Sequence, residues 1–341
     1  MSLSLATLPG VGKRRRSLLL EVSMNKLLSS ICLLALLVGA CGKPQTWTTT
    51  KRTFANGVVA RETAPGLNPA LQQPVVVFVH GLGYSGGADG SPPGYFENLA
   101  KKVQLNFGYA TVEVDMPGAG ASKGLAPCGT VTLRSQAAAL SRVIFELRRT
   151  YAKIIVIGHS AGAAAALLAK TTNPGAIDSY AALQFSPRSP PPSLDPAVVS
   201  QLKLGSGECI NYSQVIYRQA ANGVPAINAR QAFFFAPAAT PAASYAVDAQ
   251  MEEQVDTTYL GSLLAAFQTP EQTYKLPQLN CMPDNCLFQM AQYDAIFLPV
   301  DVLKPGVTNY TLLGSGHSAE LHEGRILQDS HQQLFGWLSR Q

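Results

Sequence analysis

The chain has 341 residues, of which 47% are hydrophobic, enough for a substantial core in one large α/β domain; two small domains are the alternative. The formal net charge is +5, but five basic residues and one acidic residue precede Cys41, so that segment contributes +4 and the rest about +1. So small an excess excludes a protein that tracks a phosphate backbone, and we expect no nucleic-acid partner.

Residues 1–41 are typical of an export leader. From Met24 the sequence has a positive start, an apolar run from Leu27 to Val38 and small residues before Cys41. The run is shorter than the roughly 20 residues that span a bilayer, which favours a secretory signal over a structural helix. Its ending resembles a bacterial lipobox and predicts that Cys41 is lipidated; an ordinary cleaved signal and an uncleaved anchor are the alternatives.

The predicted leader sets the bounds of the mature domain and its expected location. Residues 1–23 are either an over-extended start or a long positive region, and residues 42–341 are predicted to form a single domain. We expect an exported protein held in the bacterial cell envelope through its N-terminal lipid, or otherwise a periplasmic or secreted one.

Strands and helices alternate along the domain. Two short strands are predicted around the Asn56-Gly57 turn. Uninterrupted apolar runs then predict buried strands, and periodic segments predict helices between them. The strands are expected within the segments 74–81, 109–122, 153–158, 181–186, 286–297 and 307–317, and the helices at 93–106, 131–151, 161–172 and over the last 20 or so residues. This order predicts a mainly parallel sheet covered on both faces, with functional sites at the carboxyl ends of the strands.

Residues 153–170 indicate a nucleophile elbow. Ser160 lies in a G-x-S-x-G frame between a β-branched run and an Ala-rich helical segment. Gly158 and Gly162 remove the Cβ atoms that would collide where a strand enters a helix directly. We therefore predict that Ser160 is a nucleophile held above the sheet.

Two backbone amides are candidates for an oxyanion hole. The Ala161 amide lies at a helix N-terminus, where N–H groups lack intrahelical partners. The Leu82 amide lies in the turn after the first long buried strand, where Gly81 and Gly83 let the backbone approach a substrate. Tyr84 in the same turn is either an acyl contact or an ordinary loop aromatic.

A serine nucleophile needs a base, and His317 is the predicted one. It follows a strand directly in a Gly-Ser-Gly-His turn, whereas His322, the alternative, reads as part of a helix. His80 and His159 are tied to turns that point them away from Ser160, and His331 lies inside the final helix.

The predicted carboxylate is Asp294. It lies past a strand and before His317, which gives the chain order serine, acid, histidine. Asp301 is the reserve. Asp115 precedes Ser160, breaks that order and is interpreted as structural.

The alternation lapses between about residues 187 and 276. We call this segment the insertion. It is predicted to cap the site, exclude water and shape an acyl or aromatic pocket. The alternative is a surface excursion with no part in substrate choice.

Four cysteines remain outside the leader, an even number that suits an oxidising compartment. Sequence allows three pairings; the short separation favours Cys281 with Cys286, which leaves Cys128 with Cys209. Four free thiols are the alternative. No histidine lies near these cysteines in a zinc-like spacing, so no metal site is expected.

The motifs taken together resemble the α/β-hydrolase superfamily. They are HGLG at 80–83, DMPGAGAS at 115–122, GHSAG at 158–162, QYDAIF at 292–297 and GSGH at 314–317. The resemblance covers about residues 70–340 without the insertion. It implies the α/β-hydrolase fold with an eight-stranded, mostly parallel sheet, an acyl-enzyme mechanism and no cofactor. It implies little about substrate.

The sequence predicts a serine hydrolase that cleaves a small-molecule or lipid carboxylic ester with Ser160, His317 and Asp294. An amidase or peptidase, or an acyltransferase, on the same residues is the enzymatic alternative. A lipid-anchored binding module without catalysis is the alternative of another class.

Overall fold

The computed structural model describes residues 46–66, 73–91, 93–188, 196–219, 226–234, 242–279, 281, 285–292, 308–312, 317–321 and 325–341. Within it, residues Trp47–Gln341 form one compact unit. The leader with Cys41 lies outside the described residues, as do Asp294, Asp301 and His322.

The strands of the described residues belong to one large sheet and two small ones. They are β1 (Trp47–Thr53), β2 (Val59–Pro65), β3 (Pro74–Val79), β4 (Ala110–Asp115), β5 (Lys153–His159), β6 (Ser179–Leu183), β7 (Cys209–Ile210), β8 (Ile216–Arg218), β9 (Ile227–Asn228), β10 (Val255–Asp256), β11 (Cys286–Ala291) and β12 (Thr308–Leu312). The large sheet has eight strands in the order β1-β2-β4-β3-β5-β6-β11-β12. The predicted hairpin β1–β2 forms one edge and pairs antiparallel with β4. The other neighbours are parallel, which confirms the predicted fold class.

The central strands are apolar because both faces of the sheet are covered. Val75 of β3 is in register with Ala110 of β4 and Ile154 of β5, and all three side chains are buried. The same register brings the carboxyl ends of these strands together along one side of the sheet, which we call its carboxyl edge or active-site edge. His80, Met116 and Ser160, the residues that follow β3, β4 and β5, therefore lie at that edge.

Helices cover the sheet and also occur in the described part of the insertion. They are α1 (Glu97–Phe107), α2 (Leu133–Leu147), α3 (Ala161–Thr172), α4 (Pro196–Leu202), α5 (Ala229–Phe234), α6 (Ala242–Gln250), α7 (Thr257–Gln268), α8 (Pro270–Thr273) and α9 (Arg325–Leu338). Within the described residues, none of them combines the length and the apolarity that crossing a bilayer requires.

Helix α2 lies within the predicted segment 131–151 and is shorter than predicted, ending at Leu147. Thr132 and Ser135 form a capping box, which satisfies two amides at the helix start. The buried side includes the predicted apolar stripe Leu133, Ala137, Leu140, Val143, Ile144 and Leu147. Helix α3 packs beside it, is Ala-rich and is buried over residues 161–171, because small side chains let it lie close to both α2 and the sheet.

The insertion is joined to the sheet domain by polar contacts. The Asp256 carboxylate accepts hydrogen bonds from the amides of Gly129 and Val131, and also from the amides of Thr258 and Tyr259 at the start of α7. One side chain therefore both caps an insertion helix and holds the loop that leads into α2.

Both predicted disulfides are present. Cys128 is bonded to Cys209 and Cys281 to Cys286. The first bond links the loop before α2 to the insertion, and the second lies at the start of β11.

Candidate active site

Ser160 has the backbone conformation of a strained turn. It follows β5 and precedes α3, with φ 52° and ψ −123°, in the region that residues with a Cβ rarely adopt. Its amide donates to the Leu183 carbonyl at 3.0 Å, and its carbonyl accepts from the Ala164 amide at 3.1 Å. The β6 strand and the first turn of α3 therefore hold the strain in place.

The turn after β3 packs directly on this elbow. We call residues 80–84 the HG turn. A Cβ at Gly162 would lie 2.2 Å from the His80 carbonyl oxygen. A Cβ at Gly81 would lie 2.6 Å from His159 Nδ1 and 3.0 Å from Ser160 Cβ. Glycine is required at both positions because a Cβ at Gly162 would meet backbone atoms and one at Gly81 would meet the His159 ring and the Ser160 Cβ.

His80 fixes the HG turn from within. Its Nδ1–H donates to the Gly81 carbonyl at 2.8 Å, and its Nε2 accepts from the Met116 amide at 3.1 Å. Burial lowers the pKa of His80 and keeps the ring neutral in this tautomer. The C=O and N–H of a trans peptide point in opposite directions, so holding the Gly81 carbonyl also orients the Leu82 amide, the predicted oxyanion donor.

His159 links the elbow to His317. Its Nε2–H donates to the His317 carbonyl at 2.9 Å, and the two ring centroids are 4.9 Å apart. The ring of Tyr95 stacks on His159 at 4.4 Å. Burial, with a smaller effect of the neighbouring His317, holds the pKa of His159 well below its ordinary value, so the ring is neutral. The predicted base is thus beside the residue that precedes the predicted nucleophile.

The structure describes Ala161, Ser160 and His317 but not the predicted acid. Ala161 is buried at the first position of α3. Ser160 is 5% exposed and His317 is fully buried. Asp294 lies outside the described residues, as does the reserve Asp301, so the acid of the triad stays a prediction.

Asp115 has the structural role expected of it. Its carboxylate accepts hydrogen bonds from four backbone amides, those of Gly86, Gly87, Ala88 and Ala121. These bonds tie the segment after the HG turn to the turn that follows β4. Asp115 is therefore a loop anchor at the active-site edge of the sheet.

A cavity of about 40 Å³ adjoins the HG turn. Its wall includes that turn, residues 116–119, Gly162 and Tyr259 of α7. Among the described residues that line it is Leu82, one of the two predicted oxyanion residues, but neither Ala161 nor Ser160. The Tyr259 hydroxyl donates to the Ala161 carbonyl at 3.0 Å, so the insertion also contacts the elbow.

The sequence did not predict a buried polar cluster that includes Tyr84, the last residue of the HG turn. The Tyr84 hydroxyl lies 2.8 Å from both Asp248 Oδ1 and Ser318 Oγ, and Asp248 pairs with Arg230. Tyr84 is thus an internal hydrogen-bonding residue. The only sequence signal was a pair of opposite charges in a weakly patterned insertion.

No group of three or more His, Cys, Asp or Glu side chains within the described residues is arranged to hold a metal ion. The functional groups described at the carboxyl edge of the sheet are the serine, the imidazoles and the backbone amides.

Comparisons with solved structures agree with this geometry at the level of the fold. A monoacylglycerol lipase from Paleococcus ferrophilus aligns with a TM-score of 0.55 and 17% identity, covering 83% of this chain and 99% of that one. A thermophilic esterase from Thermogutta terrifontis aligns with a TM-score of 0.56 and 17% identity, covering 86% and 98%.

A third similar structure is the 2-hydroxy-6-oxo-6-phenylhexa-2,4-dienoate hydrolase of Rhodococcus sp. strain RHA1, with a TM-score of 0.56, 17% identity and coverage of 86% and 100%. A search of curated proteins gives no significant match. The sequence itself matches the Alpha/beta hydrolase family over residues 76–328, more than half of its length. With the elbow and the sheet order, that match shows that the chain belongs to the α/β-hydrolase family.

Proposed function

We propose that this protein is a serine hydrolase that cleaves a carboxylic ester through an acyl-enzyme intermediate. The observation that carries the proposal is the strained backbone of Ser160, at φ 52°, packed against the HG turn with His317 beside its neighbour His159. Strain of this kind is retained where a side chain must be presented in one direction. Two of the similar structures are named as a lipase and an esterase, which favours an ester over an amide.

His317 is the proposed base because each of the other described histidines has at least one ring nitrogen bonded to a structural partner. His80 uses both ring nitrogens to hold backbone groups. His159 donates its Nε2–H to a carbonyl and has a strongly lowered pKa. His331 accepts from Lys102 and donates to Glu320. The alternative His322 lies outside the described residues.

The proposed reaction has two halves. Ser160 Oγ attacks the ester carbonyl while His317 takes its proton, and the Leu82 and Ala161 amides stabilise the negative oxygen of the tetrahedral intermediate. Collapse of that intermediate breaks the bond to the alcohol, which leaves with the proton from His317. Water then attacks the acyl-enzyme in the same way and releases the acid and free Ser160. Asp294 is the proposed carboxylate that orients His317.

We also propose that the protein is exported and anchored through lipid on Cys41. The leader sequence supports export, and two disulfides suit an oxidising compartment. Metabolic labelling with palmitate should mark the native protein and not a Cys41→Ala variant. An unlabelled protein whose mature N-terminus lies elsewhere would instead indicate an ordinary cleaved signal.

The test of catalysis is covalent labelling with a fluorophosphonate probe, followed by assays on matched esters and anilides. Ser160→Ala should abolish labelling and lower ester turnover by about 10³-fold or more. Ser179→Ala is the control, because this serine donates only to Gln341 at the amino end of β6. Full turnover in the Ser160 variant would reject the proposal. Absence of labelling in the native protein would favour the binding module, and faster anilide cleavage would favour an amidase.

A further inference from the structure

The insertion contributes a buried ion pair to the active-site edge of the sheet. The Asp248 carboxylate of α6 accepts from Arg230 Nε at 2.5 Å and from another guanidinium nitrogen at 2.8 Å. The two residues are 4% and 2% exposed. A bidentate pair of this kind is stable in a buried place only if its remaining hydrogen-bonding groups are satisfied.

The ion pair binds the HG turn directly. Arg230 donates to the Gly83 carbonyl at 3.2 Å, and the same carbonyl accepts from the Glu253 amide at 2.9 Å. The guanidinium also lies over the Tyr84 ring, 4.7 Å from its centroid. Residues of the insertion therefore hold both the backbone and the last side chain of the turn.

The Tyr84 hydroxyl extends the cluster to the His317 segment. It donates its one proton to Asp248, so Ser318 Oγ, also 2.8 Å away, must donate to it. Burial raises the pKa of Tyr84 well above its ordinary value, and the Asp248 charge adds to that effect, so the hydroxyl stays protonated. Tyr84 and Ser318 are both fully buried.

One end of this chain of hydrogen bonds, Gly83, directly follows the proposed oxyanion donor Leu82, and the other end, Ser318, directly follows the proposed base His317. We infer that Arg230 and Asp248 are positioning residues for hydrolysis. They fix the position of the HG turn relative to the His317 segment through the Tyr84 hydroxyl. This inference rests on the proposed function. The insertion then has a role in assembling the reaction geometry as well as any role in covering the substrate.

The decisive variant is Tyr84→Phe, which removes the connecting hydroxyl and keeps the ring. We expect kcat to fall about tenfold with KM within about twofold, because misplaced catalytic groups lower the rate of the chemical step. The rate of fluorophosphonate labelling at Ser160 should fall in parallel.

The matched control is Tyr151→Phe. Its hydroxyl also donates to a carboxylate, Glu62, which is itself paired with Arg52. Tyr151 is 2% exposed and precedes β5, at the opposite edge of the sheet from Ser160. This control should lose similar stability in urea unfolding and retain native kcat and labelling rate.

A double-mutant cycle with Asp248→Asn completes the test. If the two residues act through one connection, the double variant should be no more than about twofold slower than the slower single variant. Additive losses, or a Tyr84 variant that is as fast as the Tyr151 control, would overturn the inference. Should the Tyr84 variant fail to fold, Ser318→Ala replaces it with the same expectation and the same contradicting outcome. A native protein that the probe does not label would reject the proposed function itself, and the positioning role with it.

Discussion

The Nε2–H of His159 donates to the carbonyl oxygen of His317 at 2.9 Å, although the two residues are 158 positions apart in the chain. The residue before the proposed nucleophile thereby holds the backbone of the proposed base. We expect a change in this bond to alter the distance between the proposed nucleophile and the proposed base without altering either of their side chains.

A pair of amide substitutions at position 159 isolates that bond. The amide nitrogen of Gln reaches the position of Nε2, whereas that of Asn reaches only Nδ1. We expect His159→Gln to retain most of the kcat and His159→Asn to lose about tenfold or more. Steady-state kinetics on one ester measures the difference. Equal rates in the two variants would show that the bond has no part in catalysis.

Acid should destabilise the protein through its buried histidines. Burial lowers the pKa of His80 and of His159 in the folded state, so below pH about 6.5 the unfolded chain binds more protons than the folded one. The free energy of unfolding should therefore fall as the pH drops below that value, by up to about 1.4 kcal/mol per pH unit for each group. Urea unfolding between pH 7.5 and 5 tests this. The slope should be shallower in His159→Gln, and an unchanged slope would contradict the assignment.

The close approach of the HG turn to the elbow predicts a strict need for glycine. In Gly162→Ala the new Cβ would lie 2.2 Å from the His80 carbonyl oxygen, so backbone must move. We expect a loss of stability of about 3 kcal/mol and at least about tenfold in kcat. Gly124→Ala is the control, since a Cβ there meets nothing within 4 Å, and it should behave as the native protein. A fully active, stable Gly162 variant would disprove the packing.

The two disulfides should differ in their contribution to stability. Cys128 and Cys209 close a loop with a separation of 81 residues, whereas Cys281 and Cys286 are separated by 5. Chain entropy alone predicts losses of about 4.5 kcal/mol and about 2 kcal/mol when each pair is replaced by serine. Urea unfolding of Cys128→Ser/Cys209→Ser and of Cys281→Ser/Cys286→Ser compares them. A larger loss from the short loop would contradict the entropic account.

The sequence predicted the fold well where one local rule governs the structure. Buried parallel strands are uninterrupted apolar runs, and a strand entering a helix through G-x-S-x-G leaves the serine little choice of backbone. The apolar run from residue 109 does not continue as strand past Asp115, because that carboxylate accepts four backbone amides and the chain turns around it.

The sequence did not predict the contacts between distant segments. Tyr84 lies 164 positions from Asp248 and 234 from Ser318. Neither periodicity nor spacing reports a hydrogen bond over such separations, so the cluster that joins the insertion to the HG turn was visible only in three dimensions.

The disulfide pairing was predictable because a five-residue separation left one natural choice for the remaining pair.

The Asp256 carboxylate serves the loop before α2 and the first turn of α7 at once. If either segment unfolded alone, the hydrogen bonds between its amides or carboxylate and the other segment would be lost. Heating should therefore give one calorimetric transition for the insertion and the sheet together, and the insertion would not persist as an independently folded fragment after proteolytic excision.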